Sequence, residues 1–585
     1  MRRTKIVATI GPASENVDVL VRLIRAGMNV ARLNMSHGVL EDHRRRLAAI
    51  REAVRITGAT VGVMLDLKGP EIRIGTFEGG RVTLREGQPF TLSTRPRPGT
   101  AEGVYVEYPG LTEDVRPGRP VYLDDGNIVL EVESVAGPDV HCRVVVGGVL
   151  SDRKKVNLPG IRVSLPALAE KDVEDIRFGV AEGVDFIAAS FVRKAADVLA
   201  IRRVLEEAGG DQQIIAKVES QEGFDNLDEI LQIADGLMVA RGDLGVEVPT
   251  EEVPLMQKAM IERANRFGKP VITATQMLES MVQRPRPTRA EASDVANAIY
   301  DGTDAVMLSA ETAAGAHPVE AVQTMARIAE RTEEALDYAA ILARKRRQAG
   351  ERLATVTEAI SHGTVATAAD LGAAAIITAT ASGFTARMVS KYRPRAPIIA
   401  VTPNPRVSRQ LTLVWGVHPV VKEEATSTDT MMDRAIEGAL ESGLVRGGDL
   451  VVITAGVPLG IQGTTNLIRV ETVAEVLARG TGIGRRAVVG VARVVRGPAD
   501  LDRVGRGDVL VASFTDADFV PAMERAAAVV TEEGGLTSHA AVVCLSLGIP
   551  VVVGAQGATA RIADGDTVTV DATRGLVYRG KATVR

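Results

Sequence analysis

Short β-branched apolar runs recur along the first half of the chain, each followed by polar residues and then by a longer segment with helical periodicity. The runs are KIVATIG (5–11), MNVARLN (28–34), VGVMLDL (61–67), VDFIAAS (184–190), QIIAKVE (213–219), GLMVARGD (236–243), KPVITAT (269–275) and DAVMLSAE (304–311). Buried parallel strands read as near-continuous apolar stretches, and strands alternating with helical segments imply βαβ units. Eight such units predict an α/β fold, a closed (β/α)8 TIM barrel, with reactive groups at the C-terminal ends of the strands. Polar residues fall there: Arg32 and Asn34 at the second run, Asp66 and Lys68 at the third, Lys217 and Glu219 at the fifth, Arg241 and Asp243 at the sixth, Thr275 at the seventh, Ser309 and Glu311 at the eighth. One or two charges at strand ends are ordinary solvation, whereas a ring of them converging on one barrel mouth reads as a polar site.

Between Lys68 and about Leu165 the series is interrupted. Short alternating strands, RVTLREG, VYLDDGNIVLEVE and HCRVVVGG, punctuated by Gly and Pro, predict an inserted all-β domain that returns to the barrel through KKVNLPGIRVSLP. After the barrel, ARKRRQAG (343–350) reads as part of a helical connector, its RKRR cluster as a solvated helix end rather than a polyanion patch. A second α/β unit follows, with strands near AAAIITAT, APIIAVT and DLVVITAG. A third begins β-rich at RAVVGVARVVRG. The expected division is a barrel (1–69 and 166–342), a β lid (70–165), an α/β domain (351–475) and a C-terminal β/α domain (482–585).

Length and composition agree with this layout. At roughly 150 residues per domain, 585 residues imply three or four domains, and 45% hydrophobic with 24% charged residues is a globular composition. Two cysteines, Cys142 and Cys544, exclude a disulfide framework and a CxxC metal pair and suit a reducing cytoplasm. A net charge of −5 and 3% aromatic residues argue against a nucleic-acid binder, although local charge leaves a small anionic ligand open. No stretch approaches the roughly 18 apolar residues of a membrane span. The opening MRRTKIVATIGPAS is not expected to act as a signal peptide, because its apolar run soon meets Gly-Pro.

No GxxxxGK[ST] phosphate loop and no protein-kinase signature set occurs. Bound phosphates would therefore need cations and metals from the barrel mouth. Lys217 and Glu219, two apart on a strand, point to the same side, and Asp243 closes the next strand. Two carboxylates hold Mg²⁺ together with water and substrate oxygens, and a lysine beside them adds fixed positive charge, as phosphoryl transfer requires. The competing reading of this spacing is a buried Lys–Glu ion pair in a barrel layer.

Longer motifs carry a resemblance. TKIVATIGPAS (4–14), NVARLNMSHG (29–38), DLKGPEIR (66–73), VNLPG (156–160), IIAKVESQEG (214–223), MVARGDLGVEVP (238–249), GKPVITATQMLESM (268–281), RPTRAEASDVANAIYDGTDAVMLSAETAAG (286–315) and YRPRAPIIAVT (392–402) resemble pyruvate kinase, from about residue 4 to about 475. The resemblance implies a phosphotransferase of glycolysis that moves the phosphoryl group of phosphoenolpyruvate to ADP, giving pyruvate and ATP. It implies Mg²⁺ or Mn²⁺ and K⁺ as cofactors, a cytoplasmic homotetramer, a small phosphorylated allosteric effector, and no nucleic-acid or membrane partner.

By position, Lys217 resembles the family's transition-state electrophile, and Glu219 and Asp243 its divalent-metal ligands. Arg32, Gly242, Asp243 and Thr275 resemble its substrate contacts, with Thr275 near the face where the enolate is protonated through a water relay. Asn34, Ser36, Asp66 and the carbonyl of Leu67 resemble the monovalent-cation site. Asn34, His37, Arg73 and Lys154 resemble the nucleotide site, although His37 also reads as a packed histidine beside a turn. Ser309 and Glu311 are expected to stand behind the substrate.

Three departures stand out: Leu67 where the family usually has Thr, Ile74 where Thr is common in potassium-dependent members, and Ala310 for a frequent Gly. Glu71 nonetheless matches the potassium-dependent pattern. A K⁺ requirement is expected because Glu71 leaves a negative charge for a cation to offset.

In the second α/β unit TASGFT (380–385) resembles the family's effector phosphate loop, with Thr380, Ser382, Gly383 and Thr385; the plain reading is an N-capped helix. The last segment exceeds the basic pattern. EGGLTSHAAVVCLSLGIPVVVG (533–554) resembles the swivelling phosphohistidine domain of pyruvate phosphate dikinase and phosphoenolpyruvate synthase, with His539 at the phosphorylated position. The alternatives for it are a phosphohistidine carrier and a regulatory or packing module, and the dikinases' ATP-grasp partner has no counterpart in the sequence. A Mg²⁺/enolate barrel lyase would share the carboxylate pair but would leave the β lid and Arg73 unexplained.

Overall fold

Each of the eight apolar runs becomes a strand. In a computed structural model that describes residues 2–349, 355–458, 463–473 and 475–582, they are β1 (Lys5–Thr9), β2 (Val30–Asn34), β3 (Gly62–Asp66), β4 (Phe186–Ala189), β5 (Gln213–Val218), β6 (Gly236–Ala240), β7 (Val271–Ala274) and β8 (Ala305–Leu308). All neighbours are parallel, and β1 pairs with both β2 and β8, closing the barrel. The strands are buried on both faces. Val7, Val30, Met64, Phe186, Ala188, Ile215, Met238, Ile272, Ala305 and Met307 fill the interior, while the alternate residues pack under the helices.

The connecting helices begin and end where local chemistry dictates. Arg289–Asp301, for example, opens on a Thr288–Glu291 capping box and stops at Gly302 in the left-handed conformation.

The insertion after β3 is all-β with its own core around Phe90, Leu92, Val104, Leu130 and Val140. Its seven-stranded sheet runs Ile72–Arg73, Lys155–Asn157, Pro120–Leu123, Ile128–Ala136, Asp139–Val146, Pro89–Ser93, Gly103–Tyr105, and a second pair joins Arg81–Leu84 to Gly148–Ser151. At the hinge Gly69 takes φ +73, and a Cβ there would lie 2.8 Å from that of Ser190, so only glycine fits.

A five-stranded sheet follows, in the order β11-β10-β9-β12-β13, with β9 (Ala375–Ala379), β10 (Ile398–Thr402), β11 (Val417–Val421), β12 (Leu450–Gly456) and β13 (Thr465–Thr472). The sequence reading missed β11, whose VHPVV carries Pro and His, and β13, whose alternation is broken by Asn and Arg. The C-terminal segment is an eight-stranded sheet in which Ala487–Val495, Val509–Ala512, Ala528–Thr531 and Val551–Val553 are parallel neighbours.

By packing, the chain divides into two units, 1–366 with 378–423 and 455–466, and 367–377 with 424–454 and 467–585. The expected domain boundary at 351 and residues 583–585 lie outside the described residues. The solvated RKRR cluster needs correction at one position: Lys345 is half-buried, its ammonium 3.5 Å from Asn265 Oδ1, because helix Tyr338–Ala349 turns that side inward. Among the described residues no helix is long and apolar enough to cross a membrane.

Candidate active site

Strand periodicity decides which side chains meet above the barrel's apolar filling. Two residues after Val30, Met64, Ala188 and Ile215, all interior, come Arg32, Asp66, Ser190 and Lys217. The four converge. Arg32 Nε donates to Asp66 Oδ2 at 2.6 Å and Nη1 to Thr9 Oγ1 at 2.9 Å. Lys217 Nζ lies 3.2 Å from Asp66 Oδ1, 2.6 Å from Ser190 Oγ and 3.1 Å from Glu219 Oε1. Ser190 Oγ in turn donates a hydrogen bond to the Leu67 carbonyl at 2.8 Å.

Burial would raise Asp66, but the Arg32 and Lys217 charges hold its carboxyl below the usual range. Burial opposes the charge on Lys217 as well, and Asp66 and Glu219 reverse it, so the ammonium is firmly protonated. Glu219 is pushed up to about 7, by burial first and by Asp243 in addition, against the pull of Lys217. Its Oε2 accepts from the Phe191 amide at 2.7 Å, a residue held at φ +56, while buried Oε1 has the Lys217 ammonium at 3.1 Å as its partner. Strained backbone of this kind persists where surrounding contacts over-determine it.

Asp243, in helix Arg241–Glu247 directly after β6, is ion-paired to Lys155 of the inserted domain. The Lys155 ammonium sits 4.6 Å from the Phe191 ring centre. Burial lowers its pKa, but Asp243, with Glu219 and Glu71, raises it above the ordinary lysine value. Asn157 donates to Glu247 at 2.8 Å beside it. A cleft of about 140 Å³ opens there, lined by Glu71, Lys155, Asn157, Phe191, Glu219 and Glu247 among others.

After β7 the chain is strained again, Thr275 at φ +68 and Gln276 at φ +53. Thr275 Oγ1 accepts from the Gly242 amide at 2.8 Å and donates to the Ala274 carbonyl at 2.6 Å. Arg241 clamps the Ala274 and Thr275 carbonyls and pairs with Asp294 at 2.7 Å. Fully buried Glu311 accepts from the Leu278 amide at 3.1 Å and the Ser309 amide at 2.7 Å. It and Ser309 therefore stand behind the Thr275 loop.

Residues 1–322 match the family described as pyruvate kinase, barrel domain, residues 358–471 pyruvate kinase, alpha/beta domain, and residues 504–575 PEP-utilising enzyme, mobile domain. The chain is 57% identical to the pyruvate kinase of Geobacillus stearothermophilus, 54% to that of Bacillus licheniformis and 52% to that of Sporosarcina psychrophila, each over the whole of both chains. The chain belongs to the pyruvate kinase family.

The residues that resemble the family's other subsites are placed as follows. Asn34 and Asp66 are register partners at the ends of β2 and β3, and Asn34 Oδ1 accepts from the Ser36 amide at 3.1 Å. Ser36 and His37 are exposed; His37 is thus no packed histidine, and its carbonyl lies 3.0 Å from His43 Nε2. Arg73 is in the lid, where Nη2 is 2.6 Å from Glu71 Oε2 and Nη1 2.8 Å from the Arg153 carbonyl. This corrects the argument from Glu71: its charge is already offset, by Arg73 and by Lys68 at 3.6 Å. Lys154 points elsewhere than its neighbour and pairs with Asp124 at 2.6 Å.

In the phosphate-loop segment Gly383 has φ +74 ahead of helix Phe384–Ser390, Thr380 is nearly buried with its amide on the Val401 carbonyl, the Ser382 carbonyl accepts from Arg387 at 3.2 Å, and the Thr385 hydroxyl is 2.9 Å from that of Thr465. His539 opens helix His539–Leu547 behind the Ser538 N-cap, its Nδ1 3.0 Å from Thr515 Oγ1. Cys142 and Cys544 are buried and unpaired, burial pushing each thiol up to about 12.

Sequence reasoning passed over Ser190, Phe191 and Lys155. Ser190 closes the fourth run, so the same strand-end rule would have found it. Phe191 and Lys155 carry no local signal, since their roles depend on a strained loop and on the meeting of lid and barrel.

Proposed function

We propose that the chain transfers the phosphoryl group of phosphoenolpyruvate to ADP, giving pyruvate and ATP, in the cytoplasm. The observation that carries this reading is the Lys217 ammonium, buried and fixed by Asp66, Ser190 and Glu219 at the barrel mouth. A cation pre-aimed at a developing charge stabilises a phosphoryl-transfer transition state without reorganisation.

Glu219 and Asp243 fit Mg²⁺ or Mn²⁺. Both offer hard oxygen donors, and in each the carboxylate is held by a lysine, Glu219 by Lys217 and Asp243 by Lys155, which leaves further lone pairs for a cation. Among the described residues no three His, Cys, Asp or Glu side chains form a metal cage, which suits an ion that takes one or two carboxylates and completes its shell with water and substrate. When bound, such an ion neutralises phosphate charge and stabilises an enolate. Arg32 binds the phosphate, while Asp66 keeps its guanidinium in place. The Gly242 amide and Thr275 hydroxyl orient the carboxylate end, and Thr275 holds the water that protonates the enolate carbon. Lys155 and Asn157 close the lid and exclude water, strengthening every charge contact inside.

For ADP we assign Asn34, His37, Arg73 and Lys154, and for K⁺ Asn34, Ser36, Asp66 and the Leu67 carbonyl. This is an all-oxygen set on adjacent strand ends, which supports it independently of Glu71. We also carry forward the four-domain division, a homotetramer, and a phosphorylated effector at Thr380, Ser382, Gly383 and Thr385. For the C-terminal domain the proposal is a regulatory module, with a phosphohistidine carrier at His539 as the alternative.

A coupled assay tests this. Pyruvate and ATP formed from phosphoenolpyruvate and ADP, dependent on divalent metal and K⁺, lost in Lys217→Ala and kept in His539→Ala, supports the reading. Turnover lost through His539→Ala would transfer the chemistry to the C-terminal domain. Turnover indifferent to K⁺ would remove the monovalent site.

A further inference from the structure

On the opposite end of the barrel from the mouth, the segment before β7 and helix Phe384–Ser390 border a narrow cleft of about 10 Å³, whose lining includes Asn265, Lys269, Asp304, Arg387, Lys391 and Arg393. Lys345 of the connector helix reaches the same place through Asn265.

The charges there do not balance. Arg393 is paired with Asp304 at 2.9 and 3.1 Å, and Lys391 with Glu358 at 3.0 Å. That leaves Lys269, Lys345 and Arg387 with no carboxylate within 4.0 Å among the described residues. Arg387 Nη1 donates to the Ser382 carbonyl at 3.2 Å. Asp235, whose field Lys269 and Arg387 both feel, is committed to Arg202 at 2.6 Å and to the Ile214 amide at 2.9 Å. Burial lowers the pKa of Lys269, Lys345 and Arg387, and positive neighbours lower the two lysines further. All three are half-buried, and charges partly withdrawn from water are ordinarily paired, because leaving one uncompensated is costly. Three cations around one cleft therefore mark a place that a counter-anion completes.

We propose that this cleft binds a small oxyanion, inorganic phosphate or the phosphate group of a phosphorylated metabolite, held by Lys269 and Arg387 with Lys345 behind them. The enclosed space holds about one water, so the oxyanion sits at the edge of the cleft, where Lys269 and Arg387 are both only half-buried. A guanidinium fork and flanking ammonium groups are suited to phosphate oxygens. The site is distinct from the 380–385 segment, but Arg387 links the two through the Ser382 carbonyl. Anion binding would fix that arginine and tie the barrel end to the helix that follows the segment.

The test is a titration of the full-length protein with inorganic phosphate at low millimolar concentration and constant ionic strength, read by melting temperature and calorimetry. It compares wild type, Lys269→Met, Arg387→Met, their double variant, and two controls, Arg32→Met for the barrel mouth and Ser382→Ala for the loop. The expected result is a saturable rise in melting temperature in wild type and both controls, and affinity about tenfold or more weaker in each single cleft variant. Without phosphate, Lys269→Met should melt above wild type, because it removes an uncompensated charge. A sugar phosphate that displaces inorganic phosphate more tightly identifies a metabolite as the source; displacement by sulfate alone identifies a free oxyanion. A shift that survives in the double variant, or that vanishes in Arg32→Met or Ser382→Ala instead, overturns the proposal. So does the absence of a saturable shift in wild type.

Discussion

Replacing Lys217 by methionine keeps the aliphatic stem and deletes the charge. The ammonium makes three contacts of 2.6–3.2 Å, to Ser190, Glu219 and Asp66. Loss of one pre-aimed charged donor costs about 2.7–4 kcal/mol of transition-state stabilisation, a fall of about 10²–10³ in kcat. Folding is affected too, since breaking a buried ion pair costs about 3–5 kcal/mol. Here Asp66 retains Arg32 at 2.6 Å, so the loss falls chiefly on Glu219 and should lie near the lower figure. The assay is ATP formation at saturating divalent metal, so that a weakened metal site cannot imitate lost catalysis, with thermal melting alongside. Lys217→Arg, which keeps the charge but displaces it, should fall between wild type and Lys217→Met. If Lys217→Met keeps more than about a tenth of wild-type kcat under these conditions, the lysine is a structural counter-ion and the electrophile assignment fails.

Lys155→Met should tighten Mn²⁺ binding, followed by electron paramagnetic resonance, because a tethered ammonium no longer competes for Asp243; unchanged affinity would mean that the pair closes the lid only. Lys5, buried at the start of β1 with its ammonium 2.6 Å from the Val417 carbonyl, is lowered by burial to about 7. Between about pH 7 and 10.5 the unfolded chain keeps a proton that the folded chain has released, so this residue makes stability rise with pH, by up to about 1.4 kcal/mol per unit. Lys5→Met should remove that increment when melting is compared at pH 7 and 9.5, and an identical pH response in wild type would refute it. Thr275→Ala leaves the Gly242 amide without its acceptor and should lower kcat about tenfold while KM for ADP holds; a change confined to the ADP KM would move Thr275 out of the proposed role.

The alternation of apolar runs with helical segments was sufficient to read the eight barrel strands, because a strand buried on both faces must be apolar throughout. It also placed Arg32, Asp66, Lys217, Glu219, Asp243 and Thr275 at strand ends, where a closed barrel brings them round one mouth. Partnership was not legible. That Asp66 anchors both Arg32 and Lys217, that Glu71 is neutralised by Arg73, and that Lys155 rather than Lys154 reaches Asp243 depends on distances across strands and between the lid and the barrel. The strain at Phe191 and Thr275 is equally invisible locally, since neither residue favours positive φ and only surrounding contacts hold it there. RKRR shows the same limit. Its composition predicts solvation, whereas burial of Lys345 is set by the side of the helix that faces Asn265. Sequence determines periodicity, and periodicity determines elements and their faces; which charges are compensated is a through-space property that exists only once those faces meet.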